Sequence, residues 1–140
     1  MSSFERTLTD GQAGFSGFLQ GIETFLETQA IPSETAAQMM IVFDEMISNV
    51  FRHGADGQEP TVFVRIDVGE ESIKAEIVDD GNPFDPLSQA EPDTIAPVEE
   101  RELGGLGIHI VRKLMDEVGY ARKDGRNKLR FFKVFPLDAA

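Results

Sequence analysis

Residues 43–54 read FDEMISNVFRHG. They close a longer run, Ser33–His53, in which apolar residues recur at helical spacing. With Glu45 set at zero and roughly 100° per residue, Asn49 lies near +40°, Arg52 near −20° and His53 near +80°. Ala36, Met40, Phe43, Ile47 and Val50 gather between about 140° and 220°. The spacing predicts one helix with that apolar face buried and a compact polar stripe opposite. Each large side chain buried there contributes roughly 1.5–3 kcal/mol. Ser33 is the expected N-cap after Ile31-Pro32, and Gly54-Ala55-Asp56-Gly57 the stop.

Upstream, Phe15, Phe18, Leu19, Ile22, Phe25 and Leu26 mark a first helix. Gly11, Gly14, Gly17 and Gly21 weaken it by roughly 1 kcal/mol each if interior, so packing must hold it. Residues 3–9 are weakly patterned and read as an edge strand. Downstream, Thr61–Val68 and Ser72–Asp79 alternate around Gly69-Glu70-Glu71, which predicts a β-hairpin. The alternation puts Asp79 on the same face as Ile73, Ala75 and Ile77, where a carboxylate needs a partner. Residues 85–103 are rich in Pro and acids and read as a functional loop. Gly104-Gly105-Leu106-Gly107 then opens a helix that Gly119 is expected to end. Two strands follow, near 120–123 and 129–135, joined by Asp124-Gly125-Arg126-Asn127.

The chain has 140 residues, 41% apolar and 27% charged, which is globular composition and about one domain's worth. A net charge of −12 argues against nucleic acid and anionic membranes as partners. There is no Cys, hence no disulfide, thiolate metal site or Cys nucleophile. No apolar run reaches the length of a membrane span. Met1–Arg6 lacks the basic stretch and apolar core of a signal peptide. The expected location is cytoplasmic.

Three features carry chemistry. In Glu45-x-x-x-Asn49-x-x-x-His53, spacing of four sets a carboxylate and an amide one turn apart, a donor set suited to Mg²⁺. The plainer reading is a solvated helix face. In Asp79-Asp80-Gly81-Asn82-Pro83-Phe84, an inward carboxylate could accept from an exocyclic amine such as adenine's, and Gly81 would let a ring approach. The plainer reading is a turn. Gly104-Gly105-Leu106-Gly107 exposes backbone N–H groups at a helix start, a cradle for phosphate. No Gly-Lys-Ser/Thr follows, so it is not a P-loop. His109 reads as a surface or packing residue.

In this order the features resemble the ATP-binding domain of the gyrase, chaperone, histidine-kinase and mismatch-repair superfamily, the Bergerat fold. The chain looks most like the anti-sigma-factor serine kinases of bacterial partner switching. FDEMISNVFRHG, VDDGNPFDP, GGLGIHIVRKLMDEV and NKLRFFKVF carry the match, which covers nearly the whole chain. The resemblance implies a single domain over 1–140, an α+β two-layer sandwich. Its sheet would be mixed but mostly antiparallel, with about three helices on one face. It implies ATP and Mg²⁺ as cofactors. Glu45 matches the catalytic carboxylate, Asn49 the Mg²⁺-binding amide and Asp79 the adenine reader. Arg52, His53, Gly81, Phe84, Gly104, Gly105, Leu106, Gly107 and Ile108 complete the implied nucleotide contacts. Arg52 remains open between ion-pair partner and phosphate contact, and His53 is read as positioning helix and loop. Residues 87–103 match the lid.

The implied function is a protein serine/threonine kinase that phosphorylates an anti-sigma-factor antagonist and sequesters a sigma factor or other regulator, as a homodimer. One departure bears on it. Some kinase-active relatives place an Arg just before the glycine cluster, where this chain has Leu103-Gly104. The alternative is an ATP-binding module that sequesters a partner without phosphorylating it. Retained Glu45 argues against that alternative, since a pure binder needs no base. A histidine-kinase module acting on a separate acceptor protein is a third reading.

Overall fold

The computed structural model describes residues 2–54, 57–88 and 103–136. Strand β1 (Ser2–Leu8) leads through a 3-10 turn into helix α1 (Phe15–Glu27). Helix α2 (Ser33–His53) follows, then strands β2 (Val62–Val68) and β3 (Ser72–Asp79). Helix α3 (Leu103–Leu114) precedes strands β4 (Glu117–Lys123) and β5 (Arg126–Val134). The expected lid, 87–103, lies outside the described residues except for its ends.

The strands form one sheet in the order β1-β2-β3-β5-β4. Every neighbouring pair is antiparallel, so the expected mixed sheet is not what forms. Parity explains this. Two helices separate β1 from β2, and a helix plus β4 separates β3 from β5. With two elements in between, each connection makes three reversals, an odd number, which leaves the paired strands running in opposite directions.

One face of the sheet holds the core. Val64 stands opposite Ile77, and Ile77 opposite Leu129. Ala75 stands between Ile66 and Phe131. Phe18, Ile22 and Leu26 from α1, Met39, Val42, Phe43, Met46 and Ile47 from α2, and Ile108 and Val111 from α3 cover this face. Phe43 meets Phe131 edge-on, with ring centroids 5.2 Å apart.

Four local expectations need correction. On α2, Thr35, Met39, Val42, Met46 and Asn49 are buried with Phe43 and Ile47, whereas Ala36, Met40 and Val50 are only half-buried. On the same wheel those added residues lie between roughly 40° and 120°, so the buried face is turned toward Asn49. The polar stripe therefore borders the core instead of opposing it. Ser33 does not cap α2; Pro32 holds the N-cap position, without a side-chain bond. Gly119 lies inside β4, because α3 already ends at Leu114, where Lys133 Nζ donates to the Leu114 carbonyl at 2.7 Å. The β4–β5 turn is only Asp124-Gly125, both at positive φ (54° and 75°), as a two-residue hairpin turn requires, and Asn127 is thereby released into β5.

Phe43 is fully buried against the sheet. Phe43→Ala is expected to cost about 3–5 kcal/mol in urea unfolding. Ile41→Ala, at an exposed position two residues away, should change stability by less than about 0.5 kcal/mol.

Candidate nucleotide site

The register of β3 and β5 sets Asp79 directly opposite Asn127, and the register of β4 and β5 sets Asn127 opposite Arg122. A polar row thus ends the apolar face of the sheet. Asp79 is buried, and its Oδ1 accepts from the Gly81 N–H at 2.9 Å and from Asn127 Nδ2 at 3.0 Å. Asn127 Nδ2 also donates to the Asn82 carbonyl at 2.8 Å. Its Oδ1 accepts from Tyr120 Oη at 2.5 Å and from the Phe84 N–H at 3.3 Å. Arg122 donates to the Gly81 carbonyl at 2.9 Å. Burial pushes the Tyr120 hydroxyl pKa up, so Tyr120 stays a neutral donor to Asn127. Burial also pushes the Asp79 pKa above the ordinary carboxylate value, and the bonds from Asn127 and Gly81 only partly oppose that.

The loop after β3 packs on the end of α2. Gly54 has φ 50° and ψ −155°, a conformation open essentially to glycine alone, and its carbonyl accepts from the Asn82 N–H at 2.8 Å. A Cβ on Gly81 would fall 2.8 Å from that same carbonyl and 3.1 Å from Asp79 Oδ1. Glycine at 81 is therefore required by the protein's own packing, before any ligand is considered. His53 stacks on Phe84, with centroids 3.7 Å apart and planes 16° from parallel. Between these parts lies a narrow cleft. Asn49, His53, Asp79, Phe84, Tyr120 and Asn127 are among its lining, with Met46, Ile77 and Leu129 as apolar walls. A mostly apolar cleft with a few convergent polar groups suits a planar heterocycle.

The stripe on α2 meets this cleft at Asn49, which is 3% exposed. Its Nδ2 has no hydrogen-bond partner, while its Oδ1 accepts from Arg52. Arg52 also pairs with Glu45 at 3.8 Å. The guanidinium thus bridges the two groups expected to face metal and substrate. Helix α3 crosses α2 at Gly107, where a Cβ would fall 2.2 Å from Glu45 Oε2.

Of the expected contacts, Asn49, His53, Asp79 and Phe84 line one cleft, Gly81 frames it, and Arg52 joins Glu45 to Asn49. Gly104 and Gly105 lie in the first turn of α3, where N–H groups lack partners within the helix. Leu106 closes that turn. Gly107 and Ile108 lie beyond it, with their N–H groups committed to the helix. Gly107 instead makes room for Glu45, and Ile108 is a core residue at 1% exposure. Among the described residues no cluster of three His, Asp or Glu could hold a metal alone. Asn127, Tyr120 and Arg122 were not anticipated as site residues; no local spacing connects them to Asp79.

A buried carboxylate at a strand end, an Asn on a central helix and a glycine-led helix now stand together around one cleft. Residues 13–133 match the family described as the histidine kinase-like ATPase domain. The chain belongs to that family. A stretch of 100 residues is 32% identical to the serine-protein kinase RsbW of Bacillus pumilus, covering 66% of this chain and 61% of that protein. A stretch of 87 residues is 25% identical to the serine/threonine-protein kinase BtrW of Bordetella bronchiseptica, covering 61% of each. The matched parts thus span about three fifths of those kinases' lengths. The catalytic domain of histidine kinase ThkA superposes with a TM-score of 0.52 over 96% of both chains at 11% identity, a likeness of fold. As in that histidine kinase-like ATPase fold, a single sheet backs the three helices. No helix among the described residues is long and apolar enough to cross a membrane.

Because folding raises the Asp79 pKa, the native state holds that proton more tightly than the unfolded chain. The charged form therefore costs stability once pH rises past the ordinary value of about 3.9 and through the native pKa. Asp79→Asn keeps an amide oxygen where Oδ1 accepts. Its stability relative to the parent should be most favourable at pH 7 and lose that advantage as pH falls below about 4. Chemical unfolding across that range checks this.

Proposed function

We propose that this chain is an ATP-dependent protein serine/threonine kinase of the partner-switching type. Its substrate would be a small anti-sigma-factor antagonist, and it would sequester a sigma factor or other regulator when that antagonist is phosphorylated. The observation that carries this reading is the placement of Glu45. Gly107 leaves it room beside α3, and α2 holds it one turn from Asn49 at the edge of the cleft that ends in Asp79. The kinase-named relatives add support, as does the family's ATPase character.

The proposed roles are as follows. Both bonds to Asp79 fall on Oδ1, so a donor entering the cleft, such as the adenine amine, would meet Oδ2. The apolar walls would take the ring. The free N–H groups at Gly104 and Gly105, with the α3 dipole, would receive phosphate oxygens. The buried Asn49 amide fits Mg²⁺, which asks for few protein oxygens when waters and phosphates supply the rest. Bound there, the ion would neutralise charge developing on the phosphates. Arg52 now covers the Asn49 oxygen and would have to move aside. It is the one Lys or Arg between Arg6 and Arg65 in the sequence. Glu45 would take the proton of the attacking Ser or Thr hydroxyl. As that oxygen bonds to the γ-phosphorus, the bridging P–O bond breaks and ADP leaves with the electron pair.

The test is transfer of labelled γ-phosphate from ATP to a cognate antagonist. Acid-stable label on Ser or Thr is expected, and Glu45→Ala should lower it by about 10²–10⁴-fold. Label on His, or nucleotide binding with no transfer to a confirmed partner, would overturn the serine-kinase reading. Absence of transfer would favour the sequestering module, for which Leu103 in place of an Arg speaks.

Gly107→Ala separates geometry from folding. Alanine raises helix propensity by about 1 kcal/mol, so stability should hold or rise. The added Cβ must displace the Glu45 carboxylate, so transfer should fall by about tenfold or more, a sizeable part of what a general base supplies.

A further inference from the structure

The α1–α2 hairpin carries a pattern that nucleotide chemistry does not use. Between Arg6 and Arg52 the sequence holds no Lys, Arg or His, yet it holds Asp10, Glu23, Glu27, Glu34, Asp44 and Glu45. Apart from Arg6 and Arg52, every Lys and Arg stands at residue 65 or later. Up to the last turn of α2, where Arg52 stands, the helical pair thus carries only anionic side-chain charge. At its far end from the cleft, the last turns of α1 and the first half of α2 leave an open groove of about 580 Å³. Leu26, Ile31, Met40 and Ile41 give it apolar walls, Gln29 and Ser33 are its neutral polar lining, and Glu23 and Glu27 are its charged residues. Ile41 is 48% exposed, one of three large apolar side chains so exposed among the described residues.

We infer that this groove docks a partner segment of opposite charge: a helix with apolar side chains at one-turn spacing, flanked by Lys and Arg. Apolar walls with charges of one sign select such a helix twice, by burial and by charge. A two-fold contact between copies of this chain fits worse. It would set Glu23 and Glu27 against the same carboxylates of the other copy. The remaining cationic candidate is the β4–β5 hairpin of a second copy, with Arg122, Lys123, Arg126 and Lys128, in an open head-to-tail contact. The docking needs no nucleotide, so it stands or falls separately from the kinase reading. It lies on the helix that carries Glu45 and Asn49, with Ile41 about 12 Å along the axis from Asn49 at 1.5 Å per residue.

The probe is a fluorescent Leu/Lys amphipathic helical peptide of about 18 residues, with a scrambled peptide of equal charge as control. The full chain is titrated without nucleotide, and amide shifts are mapped on isotope-labelled protein. Saturable binding is expected, with shifts centred on residues 23–41. The scrambled peptide should bind at least about tenfold more weakly, as should the peptide to Ala37→Arg or Ile41→Ser, a difference of about 1.4 kcal/mol. Both positions are exposed, so both variants should fold, which their thermal unfolding checks. Equal binding of the scrambled peptide would overturn the proposal, leaving bare charge attraction. Shifts confined to another face would overturn it too. So would self-association of the peptide-free chain in sedimentation, broken by Ala37→Arg, since a second copy would then cover the groove.

Discussion

A carboxylate buried at the end of an apolar sheet face must be satisfied, and much of this molecule is arranged around that demand at Asp79. Two groups meet it: a backbone N–H two residues on and an amide from a strand that enters the sheet much later. The amide is itself held by Tyr120 and by the Asn82 and Phe84 backbone. The loop that forms one wall of the cleft is thus tied to the same side chain that solvates the cleft's acid. Those two bonds only partly offset the cost that burial imposes on the acid's charged form.

The second constraint is the crossing of α2 and α3. A glycine there lets a carboxylate lie between two helices that would otherwise hold a side chain at that point. Arg52 spans Glu45 and Asn49 and balances charge in a part of the chain that is otherwise entirely acidic. A buried amide sits beside that guanidinium, and its nitrogen is the one buried side-chain polar atom without a partner among the described residues.

Much of the plan was legible locally. The bounds of α2 follow from one periodic run and a glycine stop, and the β2–β3 hairpin from alternation. The inward face of Asp79 follows from parity along β3 alone. Ile108 shows the limit. Its place after a glycine cluster suggested a ligand contact, but helical phase sends its side chain into the core. Gly107 was expected to meet phosphate and instead makes room for Glu45. Neither outcome can be read without knowing which helix lies across α3.

By itself the sequence determined the elements, the acidic balance, and the order carboxylate–amide, inward Asp, glycine-led helix. These depend on period and nearest neighbours, which physical chemistry writes into short stretches. Tertiary structure alone decided that Asn127 would answer Asp79, that α2 would turn Asn49 into the core, and that the sheet would be antiparallel throughout. Each of those follows from strand register and helix crossing between segments far apart in the chain. Such contacts are set by how whole faces pack, and no local spacing encodes them.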